Sequence, residues 1–185
     1  PDRGEGYCVL NDVAVAVRVL QSACWARRIL IVDLDVHQGN ANAAVFAEDD
    51  AVFTFSMHGA KNYPFEKPPS SLDVPVEDGT DDETYLNTLK HYLPETLDAV
   101  QPDLVFYLAG IDVAANDRFG RTALSREGLH ARDGYVLEQI RARSLPVALL
   151  LSGGYAETPE ATADLHAVMH REAARVFGPR ARSPR

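Results

Sequence analysis

Short apolar runs alternate with amphipathic segments along most of this 185-residue chain. Four runs are rich in Val, Ile, Leu and Phe and show no polar alternation, and they span residues 29–34, 51–55, 104–108 and 147–151. Continuous apolar runs of this length are typical of strands that are covered on both faces. The pattern therefore predicts four buried strands.

The segments between these runs place apolar residues three and four positions apart, which is the period of a helix buried along one side. Helices are predicted at about 13–24, 85–97, 129–140 and 165–176, with a short additional one at 42–47. This alternation of helix and strand predicts an α/β fold, with a doubly wound parallel sheet and helices on both faces in three layers.

Local signals predict where the helices begin and end. Thr80 and Glu83 have capping-box spacing before the second helix, and Ser125 stands at the cap of the third. Thr158 and Pro159 occupy the cap and first-turn positions of the fourth, while Pro94 predicts a kink or break within the second.

The remaining segments complete the predicted organisation. Residues 59–79 contain four prolines and no apolar period, which predicts a long surface loop of functional type. Residues 1–177 are interpreted as one partial domain and residues 178–185 as a disordered tail. Because the chain opens on a loop and a helix rather than on a strand, we expect an N-terminal part to be missing.

Composition narrows the function classes. A hydrophobic content of 46% suits one domain with a substantial core, and the net charge of -9 argues against direct nucleic-acid or membrane partners. The two cysteines, Cys8 and Cys24, indicate no disulfide framework, so a cytoplasmic location is expected. The sequence also has no apolar segment of the ~20 residues that span a bilayer.

Polar and titratable residues follow all four apolar runs. Ligands of open parallel sheets bind beyond the carboxyl ends of the strands, so these residues are expected to share one rim. They are Asp33, Asp35, His37 and Asn40 after the first run; Ser56, Met57 and His58 after the second; Gly110, Asp112 and Asp117 after the third; and Ser152, Gly153, Gly154 and Tyr155 after the fourth.

Asp35, His37 and Asp112 form a candidate metal site. Two carboxylates and one imidazole suit a zinc ion that keeps a coordination position open, which is typical of catalytic zinc. The alternative is that Asp35 caps the next helix and that His37 is simply solvated. The role of His58, as a ligand or as a loop-packing residue, stays open.

The Gly-Gly-Tyr segment is a candidate substrate contact. Gly153 and Gly154 allow the backbone to approach a substrate closely, and the Tyr155 phenol is a suitable donor to a developing oxyanion. The alternative is an ordinary turn.

The apolar run that ends in Asp-x-Asp also resembles the first motif of haloacid-dehalogenase-type phosphatases. Those enzymes have Thr or Val two positions after the second aspartate, where this chain has His37. They also need a later acidic pair, which the third and fourth runs do not provide. The sequence therefore disfavours a phosphatase of this type.

Five segments, taken in order along the chain, resemble the zinc-dependent histone deacetylases of the arginase–deacetylase fold, most closely class IV and its bacterial relatives. The segments are GEGYCVLND at 4–12, DLDVHQGN at 33–40, FSMH at 55–58, LAGIDVAANDRFG at 108–120 and LSGGY at 151–155. The resemblance covers nearly the whole chain. It implies a hydrolase that removes acetyl or longer acyl groups from lysine side chains.

The same resemblance implies roles for individual residues. Asp35, His37 and Asp112 would bind zinc, and Tyr155 would hydrogen-bond the substrate carbonyl. Further roles concern an inner potassium site, the walls of the acyl-lysine tunnel and the orientation of a catalytic histidine pair. The potassium site would be formed by Ser56 and Met57 together with Asp33, Asp35 and His37, through main-chain or carboxylate oxygens. The tunnel walls would be formed by Tyr7, Tyr63 and Phe119. The histidine pair would be oriented by Asp33 and Asn40.

The sequence departs from the family pattern in one respect. The adjacent histidines that serve as general base and acid belong just upstream of Pro1, and the chain contains no adjacent histidines. We therefore expect an N-terminally truncated chain that binds zinc but has little activity. Alternatives are an acetylpolyamine or small-amide amidohydrolase of the same fold, and a catalytically inactive metal-binding protein.

Overall fold

The computed structural model describes residues 4–179, which form five strands and five helices. The strands are β1 Ile29–Asp33, β2 Val52–Gly59, β3 Leu72–Val76, β4 Leu104–Leu108 and β5 Val147–Leu150. The helices are α1 Asp12–Ser22, α2 Asn40–Val45, α3 Asp82–Val100, α4 Arg126–Ala142 and α5 Pro159–Phe177. Residues 180–185 of the predicted disordered tail lie outside the described part, so that prediction stays a prediction.

The five strands form one parallel sheet in the order β3-β2-β1-β4-β5. Strand β1 is central, and its Ile29 is in register with Val52 of β2 and with Leu104 of β4. Consecutive parallel strands need crossover connections, and here α2, α3 and α4 supply three of them. The predicted α/β class and parallel sheet are confirmed.

Both faces of the sheet are covered, as predicted. Leu30 and Val32 of β1 point into a core shared with α3, α4 and α5, while Ile29 and Ile31 point into a second core shared with α1. Successive strand residues alternate between the faces, so a strand buried on both sides is apolar throughout. This explains the continuous apolar run of β1.

Strand β3 corrects the predicted long loop. It pairs with β2, with Leu72 opposite Phe55 and Val76 opposite Gly59. Its inward residues alternate with polar or proline positions. Pro75 is tolerated because an edge strand does not need every backbone N–H for pairing. A structureless loop of this length is itself uncommon in a compact domain, so the loop prediction was wrong for this segment.

Two helix caps are confirmed and one is wrong. Ser125 accepts a hydrogen bond from the Gly128 N–H, and Thr158 caps α5 in the same way. Asp81 rather than Thr80 caps α3, since the Asp81 carboxylate accepts from the Thr84 N–H and the Thr80 hydroxyl donates to a backbone carbonyl.

Two further local predictions concern α3 and Cys24. The helix α3 continues through Pro94 to Val100, so of the predicted kink or break the break does not occur, while the kink stays a prediction. The buried residues Leu93 and Leu97 on either side of Pro94 show that tertiary packing holds the helix together there. Cys24 lies after the end of α1 rather than within a helix. Within residues 4–179, no helix is both long and apolar enough to cross a bilayer.

The packing of α3 leads to a stability prediction. Leu89 is fully buried in the larger core, so Leu89→Ala should lower the free energy of unfolding by about 2–5 kcal/mol through lost burial and a cavity. Asn87→Ala, at an exposed position of the same helix, is the control and should have little effect. Urea denaturation measures both, and equal losses would contradict the assigned packing.

Candidate metal centre

The candidate ligands lie just beyond the carboxyl ends of β1 and β4. Asp35 follows β1 by two residues and Asp112 follows β4 by four, and the two strands are hydrogen-bonded neighbours. Both carboxylates are buried, Asp112 completely, while the His37 ring is partly exposed. The pairing of β1 with β4 therefore brings together residues that are 77 positions apart in sequence.

The three side chains converge on one point. The His37 Nδ1 lies 3.0 Å from the Asp35 Oδ1 and 3.1 Å from the Asp112 Oδ2. One candidate ligand atom from each of the three residues lies within 4.8 Å of the others. The structure thus assembles the trio that the sequence singled out. Two carboxylate oxygens and one imidazole nitrogen are a donor set that fits Zn²⁺.

Fixed donors orient the two carboxylates. The Val36 N–H donates to the Asp112 Oδ1 at 2.9 Å, and the Gly153 N–H and the Ser152 hydroxyl each donate to the Asp35 Oδ2 at 2.7 Å. Such outer partners hold ligands in place before a metal binds. Sequence reasoning placed Ser152 on the rim but assigned it no role, because its contact with Asp35 spans 117 positions.

The electrostatics of the trio reflect two acids in a buried site. Burial and the charge of Asp35 raise the pKa of Asp112 to about 8. Burial opposes the charged form of His37, yet the hydrogen bonds and charges of Asp112 and Asp35 raise the pKa of His37 to about 10. Protons thus neutralise the cluster when no cation is bound. A divalent cation would neutralise the same charge, so the trio fits a metal.

Position 153 requires glycine because its backbone lies against the carboxylates of Asp35 and Asp112. A Cβ on Gly153 would lie 2.2 Å from the Asp112 Oδ2 and 2.6 Å from the Asp35 Oδ2, well inside van der Waals contact. Gly154 packs instead against the Ile111 side chain. Gly153 also lines the cavity described next. The assignment of both glycines to substrate binding stays a prediction.

The trio lines a cavity of about 740 Å³. Aromatic side chains supply much of the wall: Tyr7, Tyr63, Phe65, Phe119 and Tyr155. Three of them are the residues predicted to form tunnel walls, and Phe65 is an addition that sequence reasoning missed. A mostly apolar cavity with a few convergent polar groups is the usual form of a small-ligand site.

Tyr155 is held between backbone and ring contacts. Its N–H donates to the Asp117 Oδ2 at 2.7 Å, and its ring meets the Phe119 ring edge-on at a centroid distance of 4.9 Å. The other Asp117 oxygen accepts from the Phe119 N–H at 2.8 Å, so one carboxylate aligns both aromatic residues. Burial and the charges of Asp35 and Asp112 raise the pKa of Tyr155, which keeps its phenol protonated.

Asp33 and Asn40 both line the cavity. The Asp33 Oδ1 accepts from the Asp35 N–H at 3.1 Å, and burial and the Asp35 charge raise the Asp33 pKa well above its ordinary value. The Asn40 side chain donates to the Glu5 Oε2 at 2.8 Å, and the Tyr63 hydroxyl donates to the same oxygen. Sequence reasoning missed Glu5, although it lies within the GEGYCVLND segment.

Ser56, Met57 and His58 lie within β2 rather than after it, because the strand continues to Gly59. The Ser56 Oγ accepts from the Gly39 N–H and lies 3.0 Å from the His58 Nδ1, and Met57 is buried in the larger core. Burial lowers the pKa of His58. His58 is not one of the three clustered ligands, which favours the packing role. The potassium assignment stays a prediction.

Sequence comparisons identify relatives over nearly the whole chain. Residues 1–171 match the histone deacetylase domain family. An uncharacterized protein of Picosynechococcus sp. is 46% identical over 177 residues, covering 96% of this chain and 59% of the relative. Histone deacetylase 2 of Arabidopsis thaliana is 32% identical over 157 residues, covering 83% of this chain and 41% of the relative. The chain therefore spans less than two thirds of the length of these proteins.

Solved structures share the fold. The crystal structure of the HDA15 HD domain superposes with a TM-score of 0.77 at 25% identity, over 95% of this chain and 53% of that one. An acetylpolyamine aminohydrolase from Burkholderia pseudomallei also gives a TM-score of 0.77, at 21% identity, over 94% of this chain and 52% of that one. The second likeness shows the fold alone.

The role of Gly153 can be tested directly. Gly153→Ala should push the Asp35 and Asp112 carboxylates apart and greatly weaken the binding of a divalent metal, because the new methyl group overlaps both oxygens. Leu151→Ala changes an exposed residue just before the same loop and is the control. Isothermal titration with Zn²⁺ measures both variants. Unchanged affinity in Gly153→Ala would contradict the geometry of the trio.

Proposed function

Since this chain belongs to the histone deacetylase family, we propose that the complete protein is a zinc-dependent amide hydrolase that removes acetyl or longer acyl groups from lysine side chains. The observation that carries this proposal is the convergence of Asp35, His37 and Asp112 at the wall of an aromatic-lined cavity. Neither a solvated turn nor a helix cap would bring these three side chains together.

In this proposal Asp35, His37 and Asp112 hold the zinc ion, and three protein ligands leave a coordination position for substrate or water. When bound, zinc supplies Lewis acidity, which polarises the amide carbonyl and lowers the pKa of the attacking water to about 7. The backbone and hydroxyl donors on Asp35 and Asp112 keep the carboxylates aimed at one point.

Tyr155 donates a hydrogen bond to the amide oxygen of the substrate as that oxygen gains negative charge. A preorganised donor is effective because it needs no reorientation during the reaction. Asp117 and the Phe119 ring supply this preorganisation, since they hold the backbone and the ring of Tyr155.

The cavity wall supports an acyl-lysine substrate. Tyr7, Tyr63 and Phe119 offer apolar surface for the methylene chain of a lysine side chain. Among the charged residues of the lining outside the metal trio, Glu5, Asp12 and Asp33 are acidic and Lys61 and Arg121 are basic. Acidic residues outnumber basic ones, and an acidic lining also attracts the positive charges of a polyamine, so substrates of both classes are compared below.

The remaining assignments complete the proposal. Asp33, Ser56 and Met57 contribute to a potassium site, while Asp33 and Asn40 orient the histidines that transfer protons. The 185 residues contain no adjacent histidines, so the chain as given should bind zinc and turn over slowly. Positioned proton transfer typically contributes about 10²–10⁴-fold in rate. Both cysteines are free, which supports a cytoplasmic location.

The first experiment compares substrates. The zinc-loaded complete protein should hydrolyse acetyl-lysine or long-acyl-lysine peptides with a higher kcat/KM than acetylspermidine. The opposite preference would favour the polyamine alternative. Absence of hydrolysis of all three substrates by a protein with bound zinc and an intact histidine pair would contradict the enzyme proposal and favour a metal-binding role.

The second experiment separates the metal ligand from the oxyanion donor. Asp112→Ala should abolish stoichiometric zinc binding because it removes a buried ligand. Tyr155→Phe should retain zinc and lower kcat by roughly 10²–10³-fold, as the loss of an oxyanion donor does. Metal content by atomic emission and steady-state kinetics provide the readouts. Equal loss of zinc in both variants would show that the two roles are wrongly assigned.

A further inference from the structure

Arg132 is a charged residue at a core position of α4. It lies three residues after Leu129 and four before Val136, within the helical stripe that faces the larger core. Its side chain is 0% exposed and that of its neighbour Asp133 is 1% exposed. Burying a guanidinium group is costly unless its charge is paired and its N–H groups are bonded. The hydrogen-bond partners of the Arg132 guanidinium therefore indicate why a charged residue is buried at this position.

One end of the guanidinium meets a buried carboxylate. The Arg132 Nε donates to the Asp133 Oδ1 at 2.8 Å, and the Tyr107 hydroxyl donates to the same oxygen at 2.5 Å. This pairing compensates the charge of Arg132. It does not account for the direction in which the other nitrogens point.

The Arg132 Nη1 reaches the two chain segments that carry the candidate metal carboxylates. It donates to the Gly110 carbonyl at 2.6 Å and, over a longer distance of 3.4 Å, to the Leu34 carbonyl. Leu34 immediately precedes Asp35, and Gly110 lies two residues before Asp112. One nitrogen therefore bridges the backbones of both ligand loops.

The Arg132 hydrogen bonds to the Leu34 and Gly110 carbonyls lie just past the end of the β1–β4 pairing. The β1–β4 pairing ends at Asp33 opposite Leu108, and the Leu34 N–H makes one more bond to the Leu108 carbonyl. Beyond that point, Arg132 supplies a hydrogen-bonded link between the loops.

The cluster is also incompletely satisfied. Within residues 4–179, the Arg132 Nη2 and the Asp133 Oδ2 are buried and have no hydrogen-bond partner. Unpaired buried polar groups cost stability, and a buried ion pair that is replaced as a whole by apolar residues is often no less stable. A costly group retained in the core next to a candidate site suggests a functional reason for it.

We propose that Arg132 is a positioning residue of the metal centre, which sets the separation of the Asp35 and Asp112 loops through the Leu34 and Gly110 carbonyls. This inference rests on the proposed zinc site. It predicts that metal affinity depends on Arg132 beyond the contribution of Arg132 to folding stability.

The test uses two Arg132 variants in the complete protein. Arg132→Lys keeps the positive charge and loses the planar guanidinium that spans Asp133 and both carbonyls. The double variant Arg132→Met with Asp133→Asn removes the buried charge pair together, so that neither charge remains unpaired. The control is Tyr107→Phe, which removes a hydrogen bond to Asp133 and leaves both carbonyl bonds of Arg132 intact.

Three measurements are made on each protein: the Zn²⁺ dissociation constant by chelator competition, the absorption spectrum with Co²⁺ in place of Zn²⁺, and the urea midpoint of the metal-free form. Both Arg132 variants should weaken zinc binding by roughly 10–100-fold, the usual effect of losing a group that orients ligands, and should alter the Co²⁺ spectrum. Tyr107→Phe should lower the urea midpoint and leave affinity and spectrum unchanged.

Two outcomes would overturn the inference. If the Arg132 variants lower the urea midpoint but bind zinc like the unmodified protein with the same Co²⁺ spectrum, Arg132 is only a structural residue. If Tyr107→Phe weakens zinc binding as much as Arg132→Lys does, the loss of affinity results from a general loss of core stability and not from the Arg132 hydrogen bonds. A failure of the unmodified protein to bind zinc would instead contradict the proposed function.

Discussion

The central constraint in this structure is the approach of two buried carboxylates to one imidazole nitrogen. Asp35 and Asp112 each lie within about 3 Å of the His37 Nδ1, in a site where water does not screen their repulsion. Such an arrangement persists only when positive charge or protons offset the repulsion and when fixed donors hold the oxygens. The surrounding backbone supplies those donors, and the raised pKa values of Asp112 and His37 show the demand for positive charge.

The parallel sheet creates this constraint and also supports it. Adjacent parallel strands release their chains at the same edge, so the ends of β1 and β4 deliver acids from distant parts of the sequence to one place. The loop after β5 then passes so close that only glycine fits at position 153. Arg132 of α4 donates hydrogen bonds at the same edge to the carbonyls of Leu34 and Gly110, which precede the two acids. The sheet thus brings the two acids together, the loop after β5 packs against their oxygens, and α4 contributes Arg132.

A second layer of acidic residues organises the cavity wall. Asp117 aligns Tyr155 and Phe119, while Glu5 joins Asn40 and Tyr63 through a single carboxylate oxygen. These acids act through hydrogen bonds to neighbouring residues. The aromatic wall is therefore held by specific polar contacts as well as by packing, which fixes the shape of the cavity.

The sequence by itself determined the fold class, four of the five strands and the candidate ligand trio. Apolar runs, helical periods and the strand-end motifs are local signals, and the preference of ligands for one sheet edge is general. The tertiary structure decided what depends on distant partners. Leu72–Val76 is a strand because β2 offers it an edge, and α3 survives Pro94 because the core packs on both sides of it. Likewise, the roles of Ser152, Glu5 and Arg132 arise from contacts across 22 or more positions, which no local pattern encodes.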